Sequence, residues 1–164
     1  MSATVTSLSG ARAPGDSVGE TLALDDYLPF RLSVASNAVS RLIARAYEDR
    51  FGLTIPQWRL MAVLAEGALT PQAIVSRTAM DKVTVSRAAR DLLTRRLVER
   101  TASATDRRSH TLCLSAAGAR LHGEIAPLAR AYEAALLAGL APAEVAQLKR
   151  LLLRLEAAAA RLSG

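Results

Sequence analysis

The stretch that decides the fold is DKVTVSRAARDLL, which occupies residues 81–93. Asp81 is suited to cap a helix, because its carboxylate can accept hydrogen bonds from the free amides of the first turn. At 3.6 residues per turn, Val85, Ala89 and Leu92 lie on one side of that helix. The opposite side carries arginine, hydroxyl and methyl groups: Val83, Thr84, Ser86, Arg87, Arg90 and Thr94. The pattern predicts a helix with a small apolar inner face and a basic outer face.

The outer face has the chemistry needed to read the major groove of DNA. Arginine can pair bidentately with guanine, serine and threonine can reach base edges or phosphates, and valine can touch a thymine methyl group. The side chains of this helix that are predicted to contact DNA are Lys82, Val83, Thr84, Ser86, Arg87 and Arg90. The alternative is a solvated, salt-bridged helix face, which is how most charged runs behave.

The neighbouring segments complete a DNA-binding motif. Upstream, Thr70 and Pro71 are typical of a helix start, and a turn at residues 78–80 joins this short helix to the next, as in a helix-turn-helix.

Downstream, two β-like runs at residues 97–100 and 110–114 enclose a polar loop and predict a hairpin. The tip of the hairpin holds Asp106, Arg107 and Arg108. A helix-turn-helix followed by a basic hairpin is a winged helix.

The composition of the 164-residue chain fits one mainly helical domain, with 51% hydrophobic residues and only 4% aromatic ones. Residues 81–110 hold eight basic and four acidic side chains, which gives +4 of the formal net charge of +6. Because charge, helix-turn-helix and hairpin coincide, a nucleic-acid partner is favoured over a solvated face.

Signals for membrane insertion or secretion are missing from the sequence. No apolar run approaches the ~20 residues of a membrane span, and the N-terminus has no hydrophobic signal core. The single cysteine, Cys113, cannot form an intrachain disulfide. The sequence therefore predicts a cytoplasmic protein without a membrane partner.

Before the winged helix, the sequence predicts a flexible arm and a long helix. Residues 1–24 are rich in Ser, Thr, Ala and Gly, which favours an unstructured arm. Residues 25–50 predict a helix with one apolar seam, capped by Asp25 or Asp26 and stopped by Gly52.

After the winged helix, residues 115–164 predict two further helices. Ser115 can cap the first, which Pro127 should kink or break and Gly139 should end in a left-handed conformation. Pro142 can start the second, whose apolar residues follow steps of three and four: Val145, Leu148, Leu152, Leu155, Ala159 and Leu162. Such a seam requires a partner helix, either within the chain or in a second copy.

Three segments resemble the MarR family of transcription regulators. FGLTIPQWRLMAVLAE, residues 51–66, resembles the family's second helix and its entry, and MDKVTVSRAARDLL, residues 80–93, resembles its recognition helix. LVERTASATDRRSHTLCLSAAG, residues 97–118, resembles its wing, with the Asp-x-Arg signature at Asp106 and Arg108. The resemblance, which spans about residues 25–162, implies a mainly α fold: a winged helix-turn-helix at 51–114 with a two-stranded β wing, between dimerisation helices at 25–50 and 115–164.

The resemblance also implies a homodimer on a pseudo-palindromic operator in double-stranded DNA. Arg108 would enter the minor groove, where a planar cation fits the concentrated negative potential, with Asp106 orienting it and Arg107 meeting phosphate. The sequence departs from the family pattern at Arg96, where glycine is usual; a left-handed arginine there would be strained by about 1 kcal/mol. Ala141 stands where Ser or Thr would cap the last helix.

Members of the family bind small anionic or phenolic effectors, and some bind acyl-CoA thioesters. The resemblance implies a site where the dimerisation helices meet the winged helix. Side chains that could line it are Arg31, Asn37, Arg41, Trp58, Arg59 and His122. Arginine suits a carboxylate because its fork pairs bidentately. The alternatives are that Trp58 belongs to the core, and that Arg31 and Arg41 form surface or intersubunit ion pairs.

No catalytic, metal or cofactor site is legible in the sequence. His110 and His122 belong to different elements, and zinc would require clustered His and Cys ligands. Cys113 alternates with leucines on a short strand, which favours a packed, inert thiol over a redox sensor. The sequence thus predicts a dimeric, ligand-responsive repressor released by a small aromatic acid or its acyl-CoA thioester. The alternatives are an architectural DNA-binding protein without an effector and a small enzyme on a helical scaffold.

Overall fold

A helix-turn-helix and a two-stranded wing follow one another in the middle of the chain, with long helices before and after them. The computed structural model describes residues 22–102 and 110–162. Its elements are α1 (Leu28–Phe51), α2 (Ile55–Leu64), α3 (Pro71–Thr78), α4 (Lys82–Thr94), β1 (Val98–Ala102), β2 (His110–Leu114), α5 (Ala116–Leu137) and α6 (Pro142–Leu162). The predicted mainly α, winged-helix fold is confirmed.

The described residues divide into two compact units, the first ending at Asn37 and the second beginning at Ala38. In the described part of the first unit, α1 begins at Leu28, so Tyr27 and not Asp25 or Asp26 holds the cap position. The Tyr27 carbonyl accepts from the backbone N–H of Arg31 at 3.1 Å.

Side-chain caps set where most of the short helices begin. Thr70, Asp81 and Ser115 cap α3, α4 and α5, each accepting from a backbone N–H three residues later, as the sequence predicts. The sequence analysis missed the cap of α2. There Thr54 and Gln57 form a reciprocal capping box, in which each side chain bonds the other residue's backbone N–H.

The helix-turn-helix packs through the predicted apolar face of α4. Val85, Ala88, Ala89 and Leu92 are all buried there. They belong to a core that also holds buried side chains of α1, α2, α3 and the wing. Between α3 and α4, Ala79 adopts a left-handed conformation with φ 52°, which turns the chain sharply. The small residues on α4 let the neighbouring helices approach closely.

The wing is an antiparallel hairpin whose register runs from Val98 opposite Leu114 to Ala102 opposite His110. Strand β1 extends two residues beyond the predicted end at Arg100. Leu69, just before α3, adds a bridge on the other edge of β2: its N–H donates to the Leu112 carbonyl at 3.0 Å, and Leu112 donates back at 2.8 Å. The wing is therefore hydrogen-bonded to the helix-turn-helix. Its predicted tip, with Asp106, Arg107 and Arg108, lies outside the described residues.

A Schellman motif ends α4. The Leu97 N–H donates to the Leu92 carbonyl at 2.9 Å, and the Arg96 N–H donates to the Leu93 carbonyl at 3.0 Å. Arg96 has φ 55°, so the left-handed arginine expected from the missing glycine is present. The left-handed turn therefore carries the strain of a β-carbon.

Helix α5 starts against the end of this turn. A β-carbon added to Gly118 would lie 1.9 Å from the Leu97 carbonyl oxygen, so only glycine fits there. The need for glycine at 118 was not predictable from its neighbours in sequence, because its partner, Leu97, lies about twenty residues away along the chain.

The course of α5 and α6 corrects two predictions. Helix α5 runs unbroken through Pro127; since Pro127 and Gly123 are both exposed, water can bond the carbonyl that the proline leaves without a donor. Gly139 is not left-handed, and α5 ends at Leu137 with Ala138 in a right-handed helical conformation. At the start of α6, the Glu144 carboxylate accepts from the Ala141 N–H at 2.7 Å and so supplies half of a capping box.

Helix α6 has no buried residue. Its predicted seam is open to solvent: Leu148 is 43% exposed, Leu152 36% and Leu155 40%. Among residues 22–102 and 110–162, every helix is too short or too polar to cross a lipid bilayer.

Replacing Arg96 with glycine should stabilise the protein. The substitution removes the left-handed strain but makes the unfolded chain more flexible, so the expected net gain is about 0.5–1 kcal/mol. The melting temperature should rise by about 1–4 °C in a thermal unfolding experiment. Arg96→Ala is the matched control, since it removes the same charge but keeps a β-carbon, and it should not raise the melting temperature. A lower melting temperature for Arg96→Gly than for Arg96→Ala would contradict the strain at this position.

Candidate nucleic-acid interface

The outer face of α4 is open and cationic. The side chains around a shallow groove on this face are Lys82, Val83, Ser86, Arg87 and Arg90, and each of them is exposed. Val83 is 66% exposed, a high value for an aliphatic side chain with buried neighbours on the same helix. The sequence predicted all of these residues as DNA contacts, and the structure places them together on one surface.

Thr84, which was also predicted to contact DNA, is half-buried at the start of α4. Its hydroxyl donates to Asp81 Oδ2 at 2.6 Å, and its N–H donates to Asp81 Oδ1 at 2.8 Å. These hydrogen bonds from Thr84 lower the pKa of the Asp81 carboxyl. The cap therefore occupies the Thr84 hydroxyl proton and leaves its oxygen lone pairs and methyl group for other contacts.

A cleft of about 250 Å³ lies beside this face, between α3, α4 and the wing. Apolar side chains of Val85, Ala89 and Leu112 contribute to its lining. Cationic or titratable side chains also line it: Lys82, Arg90, Arg100 and His110. The positive surface thus continues from α4 onto the strands of the wing, which puts His110 beside the candidate interface.

Arg95 has a different role from the outer arginines. Its guanidinium donates from Nη1 to the Gly52 carbonyl at 2.8 Å and from Nη2 to the Phe51 carbonyl at 3.0 Å. One turn earlier on α4, Asp91 Oδ2 accepts from Gln57 Nε2 at 3.3 Å. Arg95 is one of the eight basic residues counted in the basic segment, but its guanidinium bonds backbone carbonyls of the same chain.

An aromatic cluster joins α1, α2 and α5. It consists of Tyr47, Trp58 and His122: the rings of Trp58 and His122 stack with centroids 5.4 Å apart at 16°, and those of Tyr47 and Trp58 lie 5.7 Å apart at 36°. Trp58 also packs against the hydrophobic core. Trp58 therefore contributes to the core and also stacks on His122, and its role as an effector contact stays a prediction.

Cations lie around the aromatic cluster. Burial raises the pKa of Tyr47, and the charge of Arg59 partly opposes that shift. Burial, followed by the charge of Arg130, lowers the pKa of His122. The Arg59 guanidinium donates to Ser40 Oγ on α1 at 3.1 Å. Sequence reasoning missed Tyr47 and Arg130; the i, i+4 spacing of Tyr47 and Phe51 on the inner face of α1 was the available signal for Tyr47.

The other predicted effector contacts lie on α1 and are not part of the aromatic cluster. Arg31 and Asn37 belong to the first unit, where Arg31 pairs with Asp25 at 3.9 Å. Arg41 is exposed in the second unit. Of the predicted set, Trp58 and His122 stack on one another, while Arg59 bonds Ser40 on α1 and acts electrostatically on Tyr47.

Cys113 lies on β2 with its sulfur 3.7 Å from Glu99 Oε1. Burial and the Glu99 carboxylate raise the pKa of the thiol. Because the thiolate is the reactive form, this environment favours the inert thiol over the redox sensor. Within residues 22–102 and 110–162, no group of His, Cys, Asp and Glu side chains is arranged to hold a metal ion.

Comparison with known proteins finds a matching family and several similar structures. A sequence profile of the MarR family matches residues 51–109. The fold resembles a MarR/EmrR family transcriptional regulator from Acinetobacter sp. ADP1, at 25% identity and a TM-score of 0.80, over 85% of this chain and 99% of that one. A probable transcriptional regulator from Pseudomonas aeruginosa is 32% identical, with a TM-score of 0.66, over 80% of this chain and 98% of that one.

A third similar structure is Bordetella bronchiseptica BpsR, whose DNA binding is regulated by 6-hydroxynicotinic acid. It is 26% identical to this chain, with a TM-score of 0.72, over 80% of this chain and 94% of that one. No curated protein sequence matches the chain significantly.

Proposed function

Because the chain belongs to the MarR family of DNA-binding transcriptional regulators, we propose that it is a homodimeric repressor that an effector releases from its operator. The observation that carries this proposal is the open, cationic outer face of α4, where five side chains surround one groove. The proposed site of action is the cytoplasm, where the operator DNA lies. No step of this function requires catalysis.

In the proposed complex, α4 of each protomer lies in the major groove. Arg87, at the centre of the outer face, reads a base edge, and Lys82 and Arg90 flank it at successive turns. Val83 can contact a thymine methyl group, and Ser86 can bond a base edge or a phosphate. Arg100 and His110 lie on the strands of the wing and contact the phosphate backbone. Beyond them, Arg108 would enter the minor groove, with Asp106 orienting it and Arg107 on a phosphate.

The open seam of α6 supports a dimer. A helix of a water-soluble monomer normally buries an apolar stripe, yet the leucines of α6 are exposed along its whole length. Exposed apolar surface of this extent is typical of an interface. We therefore assign α1, α5 and α6 to dimerisation, with the two winged helices presented to the half-sites of a pseudo-palindrome.

The aromatic cluster supports an effector that is itself aromatic and anionic. The ring of Trp58 and its neighbour His122 offer a stacking surface, while Arg59 and Arg130 give the surroundings a positive potential that suits a carboxylate. In BpsR the regulating compound is an aromatic acid. The proposed effectors are accordingly small aromatic acids or their acyl-CoA thioesters, bound between the dimerisation helices and the winged helix. Arg41 is proposed as a further contact from α1, and Arg31 and Asn37, in the first unit, remain contacts that the family resemblance implies.

Replacing Arg87 with alanine should weaken binding to an operator selected from a randomised DNA library. The expected loss is about 1–3 kcal/mol, with relaxed preference at one position of each half-site, because a bidentate contact to a base is removed. The slope of binding against salt should also fall. The measurement is binding to a panel of substituted operators at two salt concentrations. Arg120→Ala on α5 is the matched control; equal binding by both variants would show that the outer face of α4 does not read DNA.

Replacing Leu152 and Leu155 together with glutamate should dissociate the dimer, because each charge would be buried in an apolar seam. Light scattering at micromolar concentration should give about twice the chain mass for the unaltered protein and about one chain mass for the variant. Ala157→Glu adds a charge on the opposite face of α6 and should leave the dimer intact. A monomeric unaltered protein would refute the proposed architecture.

A screen of aromatic carboxylic acids and acyl-CoAs should find a compound that weakens operator binding at least tenfold, which corresponds to about 1.4 kcal/mol of coupling. Compounds that bind the folded protein should also raise its melting temperature. Arg59→Ala should weaken the effect of that compound, whereas Arg150→Ala on α6 should not. If no compound changes operator affinity, the architectural DNA-binding protein becomes the better description.

A further inference from the structure

Two side chains form hydrogen bonds between the last turn of α4 and the junction of α1 and α2. The first is Arg95, whose guanidinium spans the carbonyls of Phe51 and Gly52. Phe51 is the last residue of α1, and Gly52 follows with φ 60°. The carbonyls at a helix end have no partners within the helix and carry a partial negative charge, so a cationic fork satisfies them well.

The second of these side chains is Asp91, which lies one turn before Arg95 on the same side of α4. Asp91 accepts from the Gln57 amide at 3.3 Å, and Gln57 is only 7% exposed. Gln57 Oε1 in turn accepts from the Thr54 N–H at 3.0 Å. Gln57 is therefore fixed by the cap of α2, and it holds Asp91 to a rigid helix start.

We propose that Arg95, supported by Asp91, is a positioning residue for DNA reading and not a phosphate contact. It sets the tilt of α4 relative to the end of α1, and through α1 it sets the separation of the two recognition helices. This inference rests on the proposed function, because the separation exists only in a dimer that binds two half-sites.

The hydrogen bonds of Arg95 and Asp91 add direction to the apolar packing of α4. The apolar side chains that bury α4 are Val85, Ala88, Ala89 and Leu92. Apolar contacts have little dependence on angle, whereas hydrogen bonds weaken steeply when they are bent, so these hydrogen bonds are suited to fix the tilt. Helix α4 is about 20 Å long at 1.5 Å per residue, so a tilt of about 10° at its last turn would move its first turn by about 3 Å. That distance equals the length of a hydrogen bond to a base. A fork that bonds two carbonyls at once resists such a tilt, and a lysine, with one ammonium group, does not reproduce that geometry.

The test uses the full-length protein and an operator duplex that the unaltered protein selects from a randomised library. Variants of this duplex change the spacing of the half-sites by one or two base pairs. Arg95→Ala and Arg95→Lys should reduce the preference for the selected spacing at least fivefold, while the slope of log Kd against log salt stays that of the unaltered protein. Arg90→Ala is the matched control for a direct contact: it should weaken binding at every spacing and reduce the slope by about one.

Two results would overturn the inference. If Arg95→Ala reduces the salt slope by about one and keeps the spacing preference, Arg95 contacts phosphate. If it leaves both unchanged, Arg95 has no role in DNA reading. Should Arg95→Ala fail to fold, Arg95→Lys and Asp91→Ala replace it, and either must relax the spacing preference for the inference to stand. Failure of the unaltered protein to select any operator would instead refute the proposed function.

Discussion

The winged helix depends on a single hydrogen-bonded corner, in which α4 ends, the wing begins and α5 starts. The Leu97 N–H bonds back to Leu92, while the Leu97 carbonyl accepts from the Ser115 N–H at 3.1 Å. The Ser115 hydroxyl donates to the Arg96 carbonyl at 2.7 Å, and Gly118 lies against Leu97 without room for a β-carbon. The left-handed conformation of Arg96 places the donors and acceptors of all these hydrogen bonds. The angle of the wing and the direction of α5 therefore depend on the turn at Arg96.

The arginines near this corner have two different roles: some are exposed to a binding partner, and others bond groups within the chain. Arg87 and Arg90 are exposed in an open groove, whereas Arg95 bonds backbone carbonyls and Arg77 forms an ion pair with Glu66. Each of these arginines adds +1 to the net charge. Only the exposed guanidinium groups that bond nothing else in the chain can contribute fully to counterion release on DNA. The potential that attracts DNA is accordingly concentrated on one face of one helix and continues towards the strands of the wing.

The parts of the fold that depend on neighbours in sequence were predictable, and those that depend on distant partners were not. Caps at Thr70, Asp81 and Ser115 involve residues three positions apart, so their patterns appear directly in the sequence. Gly118 and Arg95 have partners about 20 and 43 residues away, and nothing in their immediate neighbours marks them. Of the kink or local break predicted at Pro127, the break does not occur, because exposure, which the sequence did not reveal, lets water replace the lost hydrogen bond. At the candidate site, the outer face of α4 was predicted from periodicity, whereas the contact of Tyr47 with Trp58 and the effect of Arg130 on His122 depend on how α1 and α5 pack against α2.

The aromatic cluster and the Arg95 contacts are adjacent along α1, and this gives the proposed regulator a physical route between its two sites. Tyr47 lies one turn before Phe51, whose carbonyl Arg95 holds. Trp58 lies on α2 next to Gln57, which holds Asp91. A ligand that separates Tyr47 from Trp58 would therefore move both anchors of the last turn of α4 relative to one another. Coupling between sites requires an element that both sites bias. We propose the junction of α1 and α2 as that element, since its aromatic side would face the proposed effector and its carbonyl side holds α4, the proposed recognition helix.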